Sequence, residues 1–171
     1  MKIISHIFLV AIAFLSGWAY APNAALRPNQ LTVQHVKDGD SLILRTQSHF
    51  EIEVRLRGID TPERHQPFGK AAKAELERLC LGKNIHIEGT QKDKYGRLLA
   101  QVYCADVHVN SSLIATGHGW VFTKYAHAPE LLALQAKAKH SKKGLWAQDN
   151  PEAPWDYRQK KYSKSKNSAP L

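Results

Sequence analysis

Polar and apolar residues recur along this chain with two distinct periods from residue 31 onward. "LTVQHVK" at 31–37 and "SLILR" at 41–45 are rich in Leu and β-branched residues and flank "DGD", a turn signal, so they read as the two strands of a hairpin. "FEIEVRLRG" then alternates strictly at Ile52, Val54 and Leu56, which sends one face to a core and leaves Glu51, Glu53, Arg55 and Arg57 on the other. From Gly69 the period lengthens. Ala72, Leu76, Leu79 and Cys80 follow helical spacing, with Gly82 placed to stop the helix. "NIHIE" and "RLLAQVYC" read as two further strands joined by the polar, turn-forming "GTQKDKYG". "NSSLIATG" opens on an Asn or Ser cap and closes on Gly, and "PELLALQAKAKH" has Pro and Glu at its start and Lys toward its end, complementing the helix dipole.

These elements predict an α+β fold: a five-stranded Greek-key β-barrel of the OB type with three α-helices, one inserted after the third strand. At 171 residues the chain has room for one such domain and one core. Its ends read differently from its middle. "MKIISHIFLVAIAFLSGWAYAPNAAL" holds one Lys and then no charged residue until Arg27, the pattern of an export signal cleaved near Ala19. The uncharged stretch from Ile3 to Leu26 is also longer than the roughly 20 residues that span a bilayer, so an uncleaved membrane anchor is the alternative. Beyond Pro151 the chain is rich in Pro, Lys and Ser, and "RQKKYSKSK" reads as a disordered basic tail. The expected organisation is a signal peptide or anchor over 1–25, a folded domain over 26–150 and a tail over 151–171. Either reading of the N-terminus puts the domain outside the cytoplasm, secreted or periplasmic, or membrane-anchored with the domain outside.

Charge and cysteines narrow the chemistry. Lys and Arg outnumber Asp and Glu by 24 to 15, a net charge of +9 that suits polyanionic partners without telling nucleic acid from acidic lipid. Cys80 and Cys104 fit no zinc spacing, and two thiols permit a single pairing, so they form either one disulfide or two buried free thiols. The nine histidines show no HExxH or paired Cys/His spacing, which argues against zinc.

Three turns carry candidate chemistry, and each alone has an ordinary explanation. "DGDS" is a common hairpin turn, "DTPE" has the form of a helix start with Thr as N-cap and Pro following, and "DKYGR" could be a charged turn. Together they sit at strand ends that a small barrel would converge. Asp40 and Asp60 supply carboxylates, and the Thr61 carbonyl a third oxygen, for a hard divalent cation such as calcium, with water filling the other positions. Arg55 and Arg97 offer planar forks that match phosphate oxygens and stay charged. Glu63 is suited to hold or deprotonate a water. A cation, two guanidinium groups and a carboxylate are what phosphodiester hydrolysis needs.

"VKDGDS", "VRLRGIDTPE", "QPFGKAA", "DKYGR" and "VNSSLIATGHGWV" followed by "KY" fall in one order and at one set of spacings from about Leu31 to Trp146, and through them the chain resembles the staphylococcal nuclease (thermonuclease) family. The resemblance implies an OB-type barrel and a calcium-dependent endonuclease acting on DNA and RNA that leaves 5′-hydroxyl and 3′-phosphate ends. It implies that Asp40, Asp60 and Thr61 are the calcium ligands, that Arg55, Glu63 and Arg97 are catalytic, and that Lys94, Tyr95 and Tyr125 contact the nucleotide. Thr123 stands where the family has a second tyrosine, and Ser41 where it has Thr. DNA and RNA are then the expected partners, the membrane is one only through an uncleaved anchor, and the chain is expected to be a monomer. The rival is a non-catalytic nucleic-acid-binding OB-fold module. A third reading has the basic tail engaging anionic lipid. Trp120, Phe122 and Trp146 read as packing aromatics, whereas Trp155, Tyr157 and Tyr162 stand among basic residues where they could meet nucleic acid.

Overall fold

The computed structural model describes residues 31–123 and 128–167. The predicted strands β1 (Thr32–Val36), β2 (Ser41–Arg45) and β3 (Glu51–Leu56) form an antiparallel meander, with Ser41 opposite Arg55. The first turn closes through the Lys37 N–H donating to the Ser41 carbonyl (2.9 Å) and the Asp40 N–H donating to Asp38 Oδ1 (3.1 Å). Gly39 is required there by crowding, because a Cβ would lie 2.6 Å from Thr61 Oγ1 and 2.7 Å from the Ala72 methyl. A two-residue strand β4 (Ile59–Asp60) follows, then helix α1 (Gly69–Cys80).

Strands β5 (Ile85–Lys92) and β6 (Leu98–Cys104) make the second hairpin, and β6 returns to pair parallel with β3, setting Arg55 beside Leu99. The order across the sheet is β1-β2-β3-β6-β5, and a single antiparallel bridge from Leu31 to Ile85 brings its two edges together. The ladder is otherwise open. Ser41, Arg55 and Leu99 therefore lie in one row, and the turns at 37–40, 57–63 and 93–97 all leave the sheet at the same end. A short β7 (Val107–His108) leads into α2 (Val109–Ala115), β8 (Trp120–Val121) pairs with β4, and α3 (Pro129–His140) follows with a 3₁₀ turn at Gly144–Ala147.

The core matches the alternation. Leu42, Leu44, Val54, Leu56, Ala100 and Val102 fill the sheet interior, with Leu76 and Cys80 from α1 and Val109, Leu113 and Ile114 from α2 packed against them. Buried within it, Asn110 accepts the Val102 N–H (3.0 Å) and donates to the Arg57 carbonyl (2.9 Å), which ties the loop after β3 to the central strand. Cys80 and Cys104 form the disulfide that the sequence left open, joining the end of α1 to the end of β6 across a Cα separation of 5.1 Å.

Residues 154–167, expected to be a disordered tail, form a fourth helix, α4 (Pro154–Asn167). Tertiary anchoring is the reason. The Trp155 ring lies 5.7 Å from Trp120 and 5.5 Å from Phe122, and Ala153 is buried. Gln66 Nε2 donates to the Glu152 carbonyl (2.8 Å), fixing the segment that leads into the helix. Trp155 thus serves packing rather than nucleic acid. Trp120 and Trp146 pack edge to face at 4.4 Å, as expected of core aromatics. The N-terminal segment read as an export signal or anchor lies outside the described residues, among which no helix is long and apolar enough to cross a membrane.

Candidate active site

"GIDTPE" is not a helix start, since α1 begins only at Gly69. The Thr61 N–H and hydroxyl both go instead to Asp40 Oδ2, at 2.7 and 2.9 Å, a contact between residues 21 apart that joins the first turn to the loop after β4. Asp40 and Asp60 are 5 % and 2 % exposed, which makes their partners decisive, because a buried carboxylate must be paired or lose its charge. Arg55 supplies that pairing. Its guanidinium lies 3.0 Å from Asp40 Oδ2 and 2.9 Å from Asp60 Oδ1, and it also donates to the Leu56 and Ile59 carbonyls at 3.1 and 3.0 Å.

A second guanidinium comes from α4. Arg158 bonds both oxygens of Asp60 (3.2 and 2.7 Å) and Glu63 Oε1 (2.7 Å). Glu63 is positioned from behind: its N–H donates to Gln66 Oε1 (3.0 Å), and a Cβ at Gly69 would overlap its carbonyl oxygen. Across the same cleft Arg97 Nε and Nη2 reach Asp93 Oδ2 at 2.8 and 2.7 Å, and Asp93 Oδ1 accepts the Tyr95 and Arg97 N–H groups, which locks the turn. The Tyr95 ring is exposed, with Lys94 Nζ 4.9 Å and the Arg97 guanidinium 5.5 Å from its centroid.

The electrostatics follow from burial. Burial, with help from Asp40, pushes the Asp38 carboxyl up to about 6. Burial also raises Asp60, while Arg158 and Arg55 pull it back toward the charged form and Asp40 opposes them. Asp93 moves the other way, because Arg97 and the backbone N–H groups outweigh its burial and hold the carboxyl low. Arg158 is held protonated by its hydrogen bonds to Asp60 and Glu63.

Asp40, Arg55, Asp60, Thr61, Glu63, Lys94, Tyr95 and Arg97 all line one cleft of about 730 Å³, with Arg158 closing one side. Tyr125 lies outside the described residues. Sequence reasoning missed Arg158, Asp93 and the Gln66 link. A signal for Arg158 exists: "PWDYRQKKYSKSK" has Pro154 at the first helical position, Asp156 in the first turn and lysines in the last, the same marks that predict α3.

The donor set fits a hard cation. Asp40, Asp60 and the Thr61 carbonyl offer only oxygen donors, and the carboxylates of Asp60 and Glu63 already take a cation, the Arg158 guanidinium. Among the described residues no three His, Cys, Asp or Glu side chains cluster closely enough to hold an ion by themselves, so water would supply the other positions.

An OB-type sheet whose strand-end turns carry paired carboxylates and arginines is the architecture of a nuclease family, and comparison with known proteins names it. Residues 53–148 match the model described as "Staphylococcal nuclease homologue", and the chain belongs to the staphylococcal nuclease family. It is 36 % identical over 130 residues to an uncharacterized endonuclease of Escherichia coli, covering 75 % of this chain and 84 % of that protein. It is 37 % identical over 130 residues to an uncharacterized endonuclease of Haemophilus influenzae, covering 76 % and 73 %. A probable staphylococcal-like nuclease of Oryza sativa is 39 % identical over 108 residues, covering 63 % of this chain and 33 % of the plant protein. The chain thus spans about a third of the length of such plant relatives and most of the bacterial ones.

Proposed function

We propose that this protein is an exported, calcium-dependent endonuclease that hydrolyses phosphodiester bonds of DNA and RNA with little sequence preference, leaving 5′-hydroxyl and 3′-phosphate ends. The observation that carries the reading is the convergence of two buried carboxylates, two family-matched arginines and Glu63 on a single cleft. Asp40, Asp60 and the Thr61 carbonyl would hold the calcium ion, which when bound supplies a Lewis acid for a phosphate oxygen. Arg97, anchored on Asp93, presents the unpaired part of its fork to the phosphate, and Arg55 pairs with both carboxylates from within the sheet. Glu63 orients the attacking water or takes its proton, once Arg158 releases or shares its carboxylate. Lys94 and Tyr95, at the open end of the turn, engage a flanking phosphate, a role that Tyr125 would share. Contacts of this kind read the backbone and not the bases, hence the low specificity.

Export is supported by the Cys80–Cys104 disulfide, a bond that forms and persists in oxidising compartments, together with the apolar N-terminal sequence. The alternative is a non-catalytic nucleic-acid-binding module, and one observation favours it: Arg158 already engages both Asp60 and Glu63. Digestion of single-stranded DNA and of RNA with calcium, and again with chelator, separates the two. Cleavage that stops with chelator and leaves the stated ends supports the enzyme. Binding without cleavage supports the module, and cleavage indifferent to chelator removes calcium from the reading.

A further inference from the structure

A second groove, of about 520 Å³, opens beside the cleft and shares Glu63 and Arg158 with it. Arg64 and His65 form one wall, and Tyr157, Lys161 and Tyr162 on α4 form the other. Residues 157 and 161 stand one helical turn apart, as do 158 and 162, so the groove face of α4 carries an aromatic ring and a cation in each of two adjacent rows. Lys160 is committed elsewhere, to Glu152 at 2.6 Å.

Charge and rigidity distinguish this groove from a solvated basic surface. Arg64, Arg158 and Lys161 face a single carboxylate, Glu63, and that one is already paired with Arg158. The α4 wall is held by Trp155 against Trp120 and Phe122 and by the Gln66 link to Glu152, so the side chains sit on a docked helix and not on a loose end. Cations that can neutralise phosphates, interleaved with rings on which bases can stack, are the chemistry of single-strand binding. A flat anionic membrane would not need a concave wall that continues into a catalytic cleft.

We propose that this groove is a second nucleic-acid subsite, where the single strand leaving the cleft lays its flanking nucleotides with phosphates on Arg64 and Lys161 and bases against Tyr157 and Tyr162. The inference rests on the nuclease reading for the identity of the strand. It also explains why a basic helix is docked beside the site at all.

The test uses the full chain and the double variant Arg64→Glu/Lys161→Glu, neither residue belonging to the catalytic set. Binding of a labelled 12-mer of deoxythymidine is followed by fluorescence anisotropy in chelator across a salt series, and hydrolysis of the 12-mer and of a dinucleotide is followed with calcium. Expected are a loss of about tenfold or more in 12-mer affinity, a salt slope shallower by roughly 1.4 for two lost single-strand phosphate contacts, and unchanged dinucleotide hydrolysis. Arg64→Lys/Lys161→Arg should restore 12-mer binding. Unchanged 12-mer affinity, or an equal fall in dinucleotide hydrolysis, overturns the subsite. So does a loss confined to phosphatidylserine vesicles, which would assign the face to membrane. Wild-type protein that binds the 12-mer through these residues but cleaves nothing would sink the nuclease reading and leave the groove standing, whereas cleavage with groove-independent binding would do the reverse.

Discussion

Replacing Arg158 by Gln tests whether the α4 guanidinium competes with a metal ion for Asp60 and Glu63. The side chain contributes three hydrogen bonds of 2.7 to 3.2 Å to those carboxylates. Two unit charges 4 Å apart attract by about 4 kcal/mol at the effective dielectric of a protein surface and about 1 kcal/mol in bulk water. Arg158 is 46 % exposed, so the lower part of that range applies, about 1 to 2 kcal/mol. Asp60 keeps Arg55 at 2.9 Å, which limits the damage to the fold. Without metal, Arg158→Gln should therefore lower stability by roughly 1 kcal/mol. An ion that no longer has to displace this competing guanidinium from the carboxylates should bind about tenfold more tightly, since 1.4 kcal/mol is one decade. Isothermal titration of calcium into both proteins measures this, and melting with and without calcium should show a larger metal-induced rise in the variant. Equal or weaker calcium binding by Arg158→Gln would refute the competition.

Asp40→Asn and Arg97→Ala should each lower nuclease activity by at least about a hundredfold, the scale of losing one charge-stabilising group, while circular dichroism stays native; near-normal rates would remove the residue from the mechanism. Opening the Cys80–Cys104 disulfide, whose loop spans 24 residues, should cost about 3 kcal/mol, read as a fall in melting temperature with reductant. Burial lowers the pKa of His118, which shares a 2.9 Å hydrogen bond with Thr116. A folded value below the ordinary 6.5 means that the unfolded chain binds the proton first, so the stability this residue contributes is full above 6.5 and is lost as pH falls from 6.5 through the lower folded value. Melting at pH 5.5 against 7.5 should show the loss, and His118→Gln should shrink it.

Much of the architecture could be read from periodicity because β2, β3 and β6 have one buried face each. Ile52, Val54 and Leu56 alternate for that reason, and the same alternation put Arg55 on the face away from the apolar interior. Local pattern failed where a distant partner decides. Thr61 looks like an N-cap until Asp40, 21 residues earlier, takes both its N–H and its hydroxyl. That pairing depends on the β2–β3 register, which the motif itself does not carry. The helical marks at Pro154 and Asp156 sit in a lysine-rich composition that reads as a tail, and the docking of Trp155 on Trp120 is a contact over 35 positions that no short window contains. The disulfide escapes local pattern for a similar reason: the spacing of Cys80 and Cys104 says nothing until α1 and β6 are seen to end side by side.

Gly39 and Gly69 press on the 60–63 loop from two sides, one against the Thr61 side chain and the other against the Glu63 carbonyl. Neither lines the cleft. In a saturation library scored by nuclease plate, both positions would nonetheless sort with the acidic and arginine residues, and a ranking by tolerance would draw the boundary of the functional unit wider than any ligand's footprint. Engineers wishing to retune the loop would have to change its neighbours first.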